Sequence, residues 1–415
     1  MYNAEGLFTS LPIDANRASP VWYALAAWRQ EWPTTFVMHH TNPRAVLGLL
    51  SALTLIITLG HAQSPAPQTD FDSLAKRAAE ARSADHLDQA VSLYKSALVL
   101  RPNWAEGWSA LGGIEYKRGN YGAAREAFGH VLQEAPRNGN ASALLGLCEF
   151  ELEQDEKALQ HLERGKQLGL SDPNLRFAVA YHEGLLLLRA ERFKAAQVSF
   201  SSLCRSGMQG TEVLENIGLA YLRISRKEAP PAGMPGAEIA ERAGHAACLA
   251  AQKQFDEARE EYRALEQAYP NYPYIHYAVG RFWADMDNVS AAVAEFRQEL
   301  KNQPNDINSR LEIAAAEYKL DSVAGLPYAE EAVKMNPLVP SAHYLLGLLY
   351  LDTDNYRNAI HELETARRAF PKDAKICFAL GSAYARAGRK EDAARARAAF
   401  AQLNKESESY SEVRH

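Results

Sequence analysis

Cysteine is scarce in this chain, with four residues among 415, and no two of them form a CxxC pair. Four widely spaced cysteines do not form the framework of a disulfide-rich scaffold, and they match no zinc or dithiol motif. A strong excess of charge is also absent, because 45 basic and 51 acidic residues leave a net charge of -6. The chain therefore lacks the broad positive field that holds a phosphate backbone, and we do not expect nucleic acid as a partner.

Catalytic and metal-binding motifs are missing as well. The 12 histidines are scattered, and no HExxH, HxH or clustered acid pair has the spacing of metal ligands. There is no GxSxG motif and no glycine-rich phosphate loop. Acids such as Asp72, Glu115 and Glu317 fall on predicted helical faces, where we expect them to be solvated. The sequence therefore predicts no catalytic residues, no cofactor and no metal site.

Long apolar runs are confined to one segment near the N-terminus. Residues 45–60 (AVLGLLSALTLIITLG) form a run of 16 residues without a charge. A membrane-spanning helix needs ~20 residues, whereas the apolar part of a secretory signal is shorter. Small residues at Gly60 and Ala62 occupy the positions that signal peptidase reads. We predict cleavage after Ala62 and a periplasmic or secreted protein; the alternative is a membrane anchor that keeps the repeats outside the cytoplasm.

The residues before this segment make a poor leader. Arginines and acids cancel between Met1 and Arg44, whereas a start at Met38 gives the leader MHHTNPR, which has no acid. We therefore expect 38–62 to be a signal peptide or membrane anchor, and 1–37 to be a non-native or disordered extension. Residues 63–70 would then form a polar linker.

From residue 71 the chain repeats with a period of 34 residues. Full units begin at 71, 105, 139, 177, 239, 273, 307, 340 and 374. In the unit at 105, the positions 4, 7, 8, 20, 24 and 32 hold Trp108, Leu111, Gly112, Ala124, Phe128 and Pro136. Small residues at 8 and 20 allow helices to approach closely, and bulky residues at helical spacing fill the space between them.

The pattern W-x2-L-G-x2-Y, A-x3-F and P resembles the tetratricopeptide repeat. The resemblance covers about four fifths of the chain, from 71 to 404. It implies an all-α protein, a right-handed α-solenoid of helix-turn-helix tetratricopeptide repeats in which each unit packs against its neighbours.

One unit is incomplete. Thr211 to Ser225 has the pattern of a first helix, but the following residues 226–237 are rich in proline and glycine and cannot continue a repeat. We expect this insertion to separate an N-terminal arm, 71–225, from a C-terminal arm, 238–404. It is either a hinge or partner-contacting loop, or a tolerated surface insertion. Residues 405–415 form a polar tail that we expect to be disordered.

The resemblance also implies a concave groove, lined by positions 2, 5, 9, 12 and 13 of the first helices. Those positions hold Tyr116, Lys117, Tyr181, Arg189, Tyr274, Tyr277, Arg281, Tyr318, Lys319, Tyr344, Lys375, Phe378 and Arg386. This tyrosine-rich and basic set predicts a protein or peptide partner that bears carboxylates; the alternative is that the aromatic residues only pad the wall. The unit at Ile239 has alanines there instead, a bare floor on which a helix or strand would fit.

These patterns predict a non-catalytic scaffold of the cell envelope that binds a peptide or protein segment in its groove. The alternative is a membrane-anchored factor for the assembly or secretion of envelope proteins, with residues 45–60 as its membrane contact. An enzyme is a third reading, but little chain lies outside the repeats. For an exported protein the sequence leaves two disulfides as alternatives, Cys148–Cys204 and Cys204–Cys248. Cys377 is expected in the core.

Overall fold

The computed structural model describes residues 67–207, 210–231 and 233–412, and within them it contains 19 α-helices and no strand. The helices are α1 Pro67–Ser83, α2 Leu87–Leu100, α3 Ala105–Lys117, α4 Tyr121–Glu134, α5 Gly139–Glu151, α6 Asp155–Leu168, α7 Pro173–Arg189, α8 Phe193–Arg205, α9 Thr211–Tyr221, α10 Pro235–Ala251, α11 Phe255–Ala268, α12 Ile275–Asp285, α13 Val289–Asn302, α14 Ile307–Glu317, α15 Ser322–Met335, α16 Pro340–Asp352, α17 Tyr356–Ala369, α18 Ala374–Arg386 and α19 Lys390–Glu412. The predicted all-α solenoid of helix-turn-helix repeats is confirmed.

Local chemistry sets where these helices start. The carboxylates of Asp306 and Asp373 accept hydrogen bonds from the first backbone amides of α14 and α18, which would otherwise have no acceptor. Successive repeats are joined at position 4, where the Nε1–H of Trp108 donates to the carbonyl of Pro102 over 2.7 Å. His276 and His343 make the same bond, through Nε2, to Pro270 and Pro337. The proline thus ends one repeat and anchors the next.

Four of the described helices extend beyond the 34-residue units that the sequence predicts. Helices α7 and α10 begin at Pro173 and Pro235, four residues before the units predicted at 177 and 239. Proline favours these starts because its fixed φ suits the first helical turn. Helix α1 begins at Pro67, so residues 67–70 of the predicted linker are helical. Helix α19 continues to Glu412, so most of the tail that we expected to be disordered is helical.

Helix α9 has no second helix of its own, and the described residues between 221 and 235 contain none. Instead, α10 packs directly on α9, with Gly218 against the backbone of Ala240 and Gly244 against the backbone of Leu214. Of the alanines of α10 that we predicted to form an open floor, Ala240, Ala243 and Ala247 are buried, whereas Ala250 and Ala251 are half-buried. A helix lies close to this alanine face, and it is helix α9 of the same chain.

The described residues form two compact units, one of residues 67–190 with 198–203, and one of residues 191–197 with the described residues from 204 to 412. This division differs from the predicted arms 71–225 and 238–404. Helix α9 belongs to the second unit, in which its Gly218 lies against α10 and Gly244 of α10 lies against α9. No described helix is both long and apolar enough to cross a bilayer. The predicted extension, signal and anchor segments, 1–62, lie outside the described residues.

Candidate functional site

The predicted groove cations are mostly paired with acids inside the chain. They form ion pairs at Lys117–Asp85 (2.6 Å), Arg189–Asp155 (2.9 Å), Arg281–Glu312 (3.0 Å), Lys319–Asp287 (3.2 Å) and Arg386–Asp354 (4.0 Å). Most of these pairs join a residue to one about 32 positions away, in the neighbouring repeat. Lys375 is exposed and makes no ion pair with any described residue. The structure therefore leaves few of the predicted cations available for a partner's carboxylates.

The predicted groove aromatics differ in exposure. Tyr181 and Tyr277 are buried, with 2% and 4% of their surfaces exposed, whereas Tyr116, Tyr274 and Tyr344 are half-buried. Burial raises the pKa of the Tyr116 phenol well above its usual range. Tyr318 and Phe378 are exposed, and Phe378 packs its ring 5.4 Å from that of Phe400. The tyrosines thus fill the helix packing more than they form an open surface.

A pocket of about 430 Å³ lies within the second unit. It is lined by Glu191, Arg192, Phe193, Lys194, Ala195, Arg223, Tyr277, Asn308, Leu311, Glu312, Ala315, Ser341 and Leu345. Three cations and two acids are among these residues, beside aromatic and aliphatic side chains. Such a mixture of apolar walls with a few charged groups is typical of a binding site.

Arg223 is the distinctive cation of this pocket. Its guanidinium carbon lies 5.0 Å from the ring centroid of Phe193 and 5.3 Å from that of Tyr277, close enough for cation–π attraction to both rings. No described residue forms a hydrogen bond or ion pair with its guanidinium. Arg223 is half-buried, and its backbone φ of 53° is in the left-handed region. The rings therefore position a guanidinium whose hydrogen-bond donors are left for a ligand.

The repeat register makes this arrangement unusual. Arg223 is at position 13 of its unit, as are Lys117, Lys319 and Arg386, each of which pairs with an acid at position 15 of the preceding unit. Glu191 is the acid in that position for Arg223, but the two form no ion pair. Sequence analysis missed Arg223, which lies in the incomplete unit. Its place at position 13 of the repeat, where other units have a paired cation, is the sequence signal that identifies Arg223.

The acid Glu312 on the pocket wall is already held by its neighbours. Its carboxylate accepts a hydrogen bond from Arg281 over 3.0 Å and lies 3.4 Å from the Tyr277 hydroxyl, which donates to it. Lys194 approaches the same carboxylate at 4.0 Å. Burial raises the pKa of Tyr277, and the Glu312 charge adds to the effect. Because Arg281 compensates Glu312, the wall beside Arg223 remains suited to an anion.

A second cluster joins three side chains that the sequence does not place together. The Nδ1 atom of His276 lies 2.8 Å from Glu295 and 3.2 Å from Glu266, and the three residues come from α12, α13 and α11. Burial acts to lower the pKa of His276, but the two carboxylates outweigh it and raise the pKa to about 10. No sequence motif predicts this cluster, because Glu266 lies 10 residues before His276 and Glu295 lies 19 residues after it.

Among the other titratable residues, Glu115 departs from the sequence prediction and Cys377 agrees with it. Glu115, which we expected to be solvated, is buried. Its carboxylate accepts a hydrogen bond from Asn120 over 2.7 Å and lies 3.8 Å from Lys95, and these contacts compensate the buried charge. Of the two open disulfide alternatives, Cys204–Cys248 is formed, linking α8 to α10. Cys377 is a buried free thiol, as predicted. Cys148 is buried as well, which raises its pKa to about 12.

Comparisons with protein families agree with this architecture. A sequence model of the tetratricopeptide repeat matches residues 76–136, 246–307, 315–360 and 346–404. A second model of the same repeat matches 115–180. Together the matches extend through both compact units.

Individual relatives are distant. The BBSome complex member BBS4 of Mus musculus is 22% identical over 302 residues, which are 71% of this chain and 56% of the mouse protein. Superkiller protein 3 of Schizosaccharomyces pombe is 28% identical over 135 residues, 31% of this chain and 10% of that protein. The chain therefore spans only part of the length of each curated relative.

Solved structures resemble this chain at the level of the fold. MamA from Desulfovibrio magneticus RS-1 has 23% identity and a TM-score of 0.37, covering 41% of this chain and 96% of its own. YrrB, described as a TPR protein with an unusual peptide-binding site, has 22% identity and a TM-score of 0.35, covering 46% and 98%. These likenesses concern the repeat fold and not the pocket.

Proposed function

Because the chain belongs to the tetratricopeptide repeat family, a family of protein-interaction scaffolds, we propose that it binds a carboxylate-bearing segment of a partner protein at Arg223. In this proposal the protein is a non-catalytic scaffold of the cell envelope. The observation that carries it is the guanidinium of Arg223, held between the rings of Phe193 and Tyr277 without an acid of its own.

The chemistry of the pocket favours a carboxylate. A guanidinium presents its donors in a planar fork that matches a carboxylate with two parallel hydrogen bonds. Arg192 and Lys194 add positive charge at the same wall, and Asn308 and Ser341 add neutral polar groups. Apolar side chains such as Leu311 and Leu345 would contact the rest of a bound segment. Such hydrogen bonds to a charged group contribute about 1.5–3 kcal/mol each.

Two observations support an envelope location. The segment 38–62 has the pattern of a secretory signal, with cleavage after Ala62. The Cys204–Cys248 disulfide fits an exported protein, because disulfides persist in oxidising compartments and are rare in the cytosol. A membrane-anchored factor for envelope assembly or secretion is the second candidate, in which the apolar run 45–60 stays in the membrane.

Binding is tested with peptides selected on the purified protein from a random library. We expect the selected peptides to contain Asp or Glu, and replacement of those residues by Asn or Gln to abolish binding. Arg223→Gln should weaken binding by about 10-fold or more, the equivalent of one charged hydrogen bond. Arg386→Gln is the matched control, because it removes a cation at the same repeat position outside the pocket. Equal effects of the two variants would contradict the proposal.

Location is tested by expressing the protein with its own leader in a bacterial host. We expect an intact mass that corresponds to a chain starting at Gln63, found in the soluble envelope fraction with Cys204 and Cys248 oxidised. A membrane-bound chain that retains 45–60 would favour the anchored alternative. A full-length cytosolic chain with four free thiols would exclude both.

A further inference from the structure

The cluster of Glu266, His276 and Glu295 has the donor set of a transition-metal site. One imidazole nitrogen and two carboxylate oxygens converge, with all three ligand atoms within 4.8 Å of one another. Zn²⁺ binds histidine nitrogen at about 2.0–2.1 Å and carboxylate oxygen at about 2.0–2.2 Å, so ligand atoms around it lie a little over 3 Å apart. Small rotations of the two glutamates reach that spacing from the observed 2.8 and 3.2 Å.

The other ring nitrogen of His276 is already engaged. The carbonyl of Pro270 accepts a hydrogen bond from Nε2 over 3.2 Å. Since a carbonyl cannot donate, Nε2 carries a proton, and this bond orients the ring with Nδ1 toward the glutamates. Histidines that bind metals commonly donate their second N–H to a backbone carbonyl in this way.

Glu266 is the less well satisfied of the two carboxylates. Its Oε1 atom is buried and lies 3.2 Å from Nδ1 of His276, but it accepts no hydrogen bond from the described residues. The Nδ1 atom of His276 can donate along one line only, and Glu295 lies closer to it. A buried carboxylate oxygen without a partner costs free energy unless a proton or cation compensates it.

The described part of the chain contains a second site with the same plan. His343 donates through Nε2 to Pro337 and lies 2.5 Å, through Nδ1, from Glu362. Its glutamate is 19 residues later in the sequence, as in the first site. Ten residues before His343, however, stands Val333, which packs against a hydrophobic cluster. Glu266 is therefore the residue that distinguishes the two sites.

We propose that Glu266, His276 and Glu295 bind one divalent transition-metal ion, with zinc as the expected metal, through two carboxylate oxygens and Nδ1. The ion takes the place of the proton on Nδ1, and two carboxylates and a neutral imidazole then balance its charge. Imidazole selects against Mg²⁺ and Ca²⁺, which prefer oxygen ligands. The side chains of Glu266 and Glu295 remain about one quarter exposed, at 23% and 24%, which leaves an entry path and room for a water as a fourth ligand.

Zinc titration of the purified, tag-free protein at neutral pH tests the site. We expect one equivalent of Zn²⁺ to bind, with a rise in the unfolding temperature that Mg²⁺ does not produce. Glu266→Gln keeps the shape of the side chain and should weaken zinc binding by about 100-fold or more, beyond the loss typical of an outer partner. Glu362→Gln is the matched control in the second site and should leave the affinity unchanged.

X-ray absorption at the zinc edge adds a structural readout. We expect one nitrogen and two or three oxygen ligands in the wild-type protein. The proposal is overturned if the wild-type protein takes up no stoichiometric zinc. It is also overturned if Glu266→Gln binds zinc as tightly as the wild type, or if Glu362→Gln abolishes binding. The test involves no peptide, so its result is independent of the function proposed for Arg223.

Discussion

Two helix pairs of the second unit close in different ways. In the regular pair α12–α13, a Cβ at Gly280 would meet the ring of Phe296 at 2.6 Å. In the pair α9–α10, a Cβ at Gly218 or Gly244 would instead overlap with a backbone carbonyl, of Ala240 or Leu214. In the regular pair the glycine thus packs against a side chain of the facing helix. In the interrupted repeat the two glycines pack against the backbone of the facing helix.

The difference explains how the solenoid continues past a missing helix. Helix α10 takes the place of the second helix of α9 while it also begins the next repeat with α11. Two glycines and the small alanines of α10 allow the close approach that this double role requires. A side chain can rotate away from an added methyl group, but a helix backbone can move only as a whole. The interrupted pair should therefore tolerate substitution less well than the regular pair.

Among the glycine substitutions, the largest effect is expected for Gly244→Ala in the interrupted pair. The added Cβ overlaps with the carbonyl of Leu214, so α9 and α10 must separate, and we expect a loss of at least about 3 kcal/mol in unfolding free energy. Urea unfolding measures the change, and hydrogen exchange locates it in α9 and α10. A loss no greater than that of Gly280→Ala would remove the distinction between the two pairs.

A smaller loss, about 1–3 kcal/mol, is expected for Gly280→Ala in the regular pair, because the ring of Phe296 can shift. Phe296→Ala alone should cost about 3–5 kcal/mol through the cavity it leaves. In the double variant the new methyl group enters part of that cavity, so the combined cost should be less than the sum. Strict additivity in the urea-derived free energies would argue against contact between the two positions.

Turn residues with positive φ extend the comparison to the end of α9 and the regular turn between α10 and α11. Lys253 has φ 66° in a regular turn, and Arg223 has φ 53° at the end of α9. Glycine relieves left-handed strain at both positions, but at Arg223 it also removes the contacts with two rings. We expect Lys253→Gly to be about 1 kcal/mol more favourable than Arg223→Gly, the value of a cation–π contact. Equal melting temperatures would mean that the rings do not stabilise Arg223.

The smallest effect is expected for Gly381→Ala in α18. Its Cβ would meet the flexible side chain of Arg397 at 3.3 Å, and no backbone lies nearer. Because alanine favours helix over glycine by up to about 1 kcal/mol, we expect slight stabilisation. A clear loss of stability in thermal unfolding would show that even this open glycine is needed for packing.

The sequence predicted the repeats and the prolines between them, because each consensus position concerns contacts with the adjacent helix. It missed the two clusters that carry the proposals. Arg223 lies in an incomplete unit, and its rings come from Phe193 and Tyr277 in other repeats. The ion pairs of Lys117 and Lys319 were equally invisible, since only the stacking of repeats brings their acids within reach.

The 34-residue period by itself determined that this chain is an α-solenoid, because neighbouring repeats bury each other's apolar faces and need no distant contact. The tertiary structure alone decided which helix completes α9, which groove cations remain without an acid, and that Glu266 meets His276 and Glu295. Those outcomes depend on where side chains from three helices converge. A linear pattern specifies the face on which a residue lies, but not the partner that the packed neighbour brings to it.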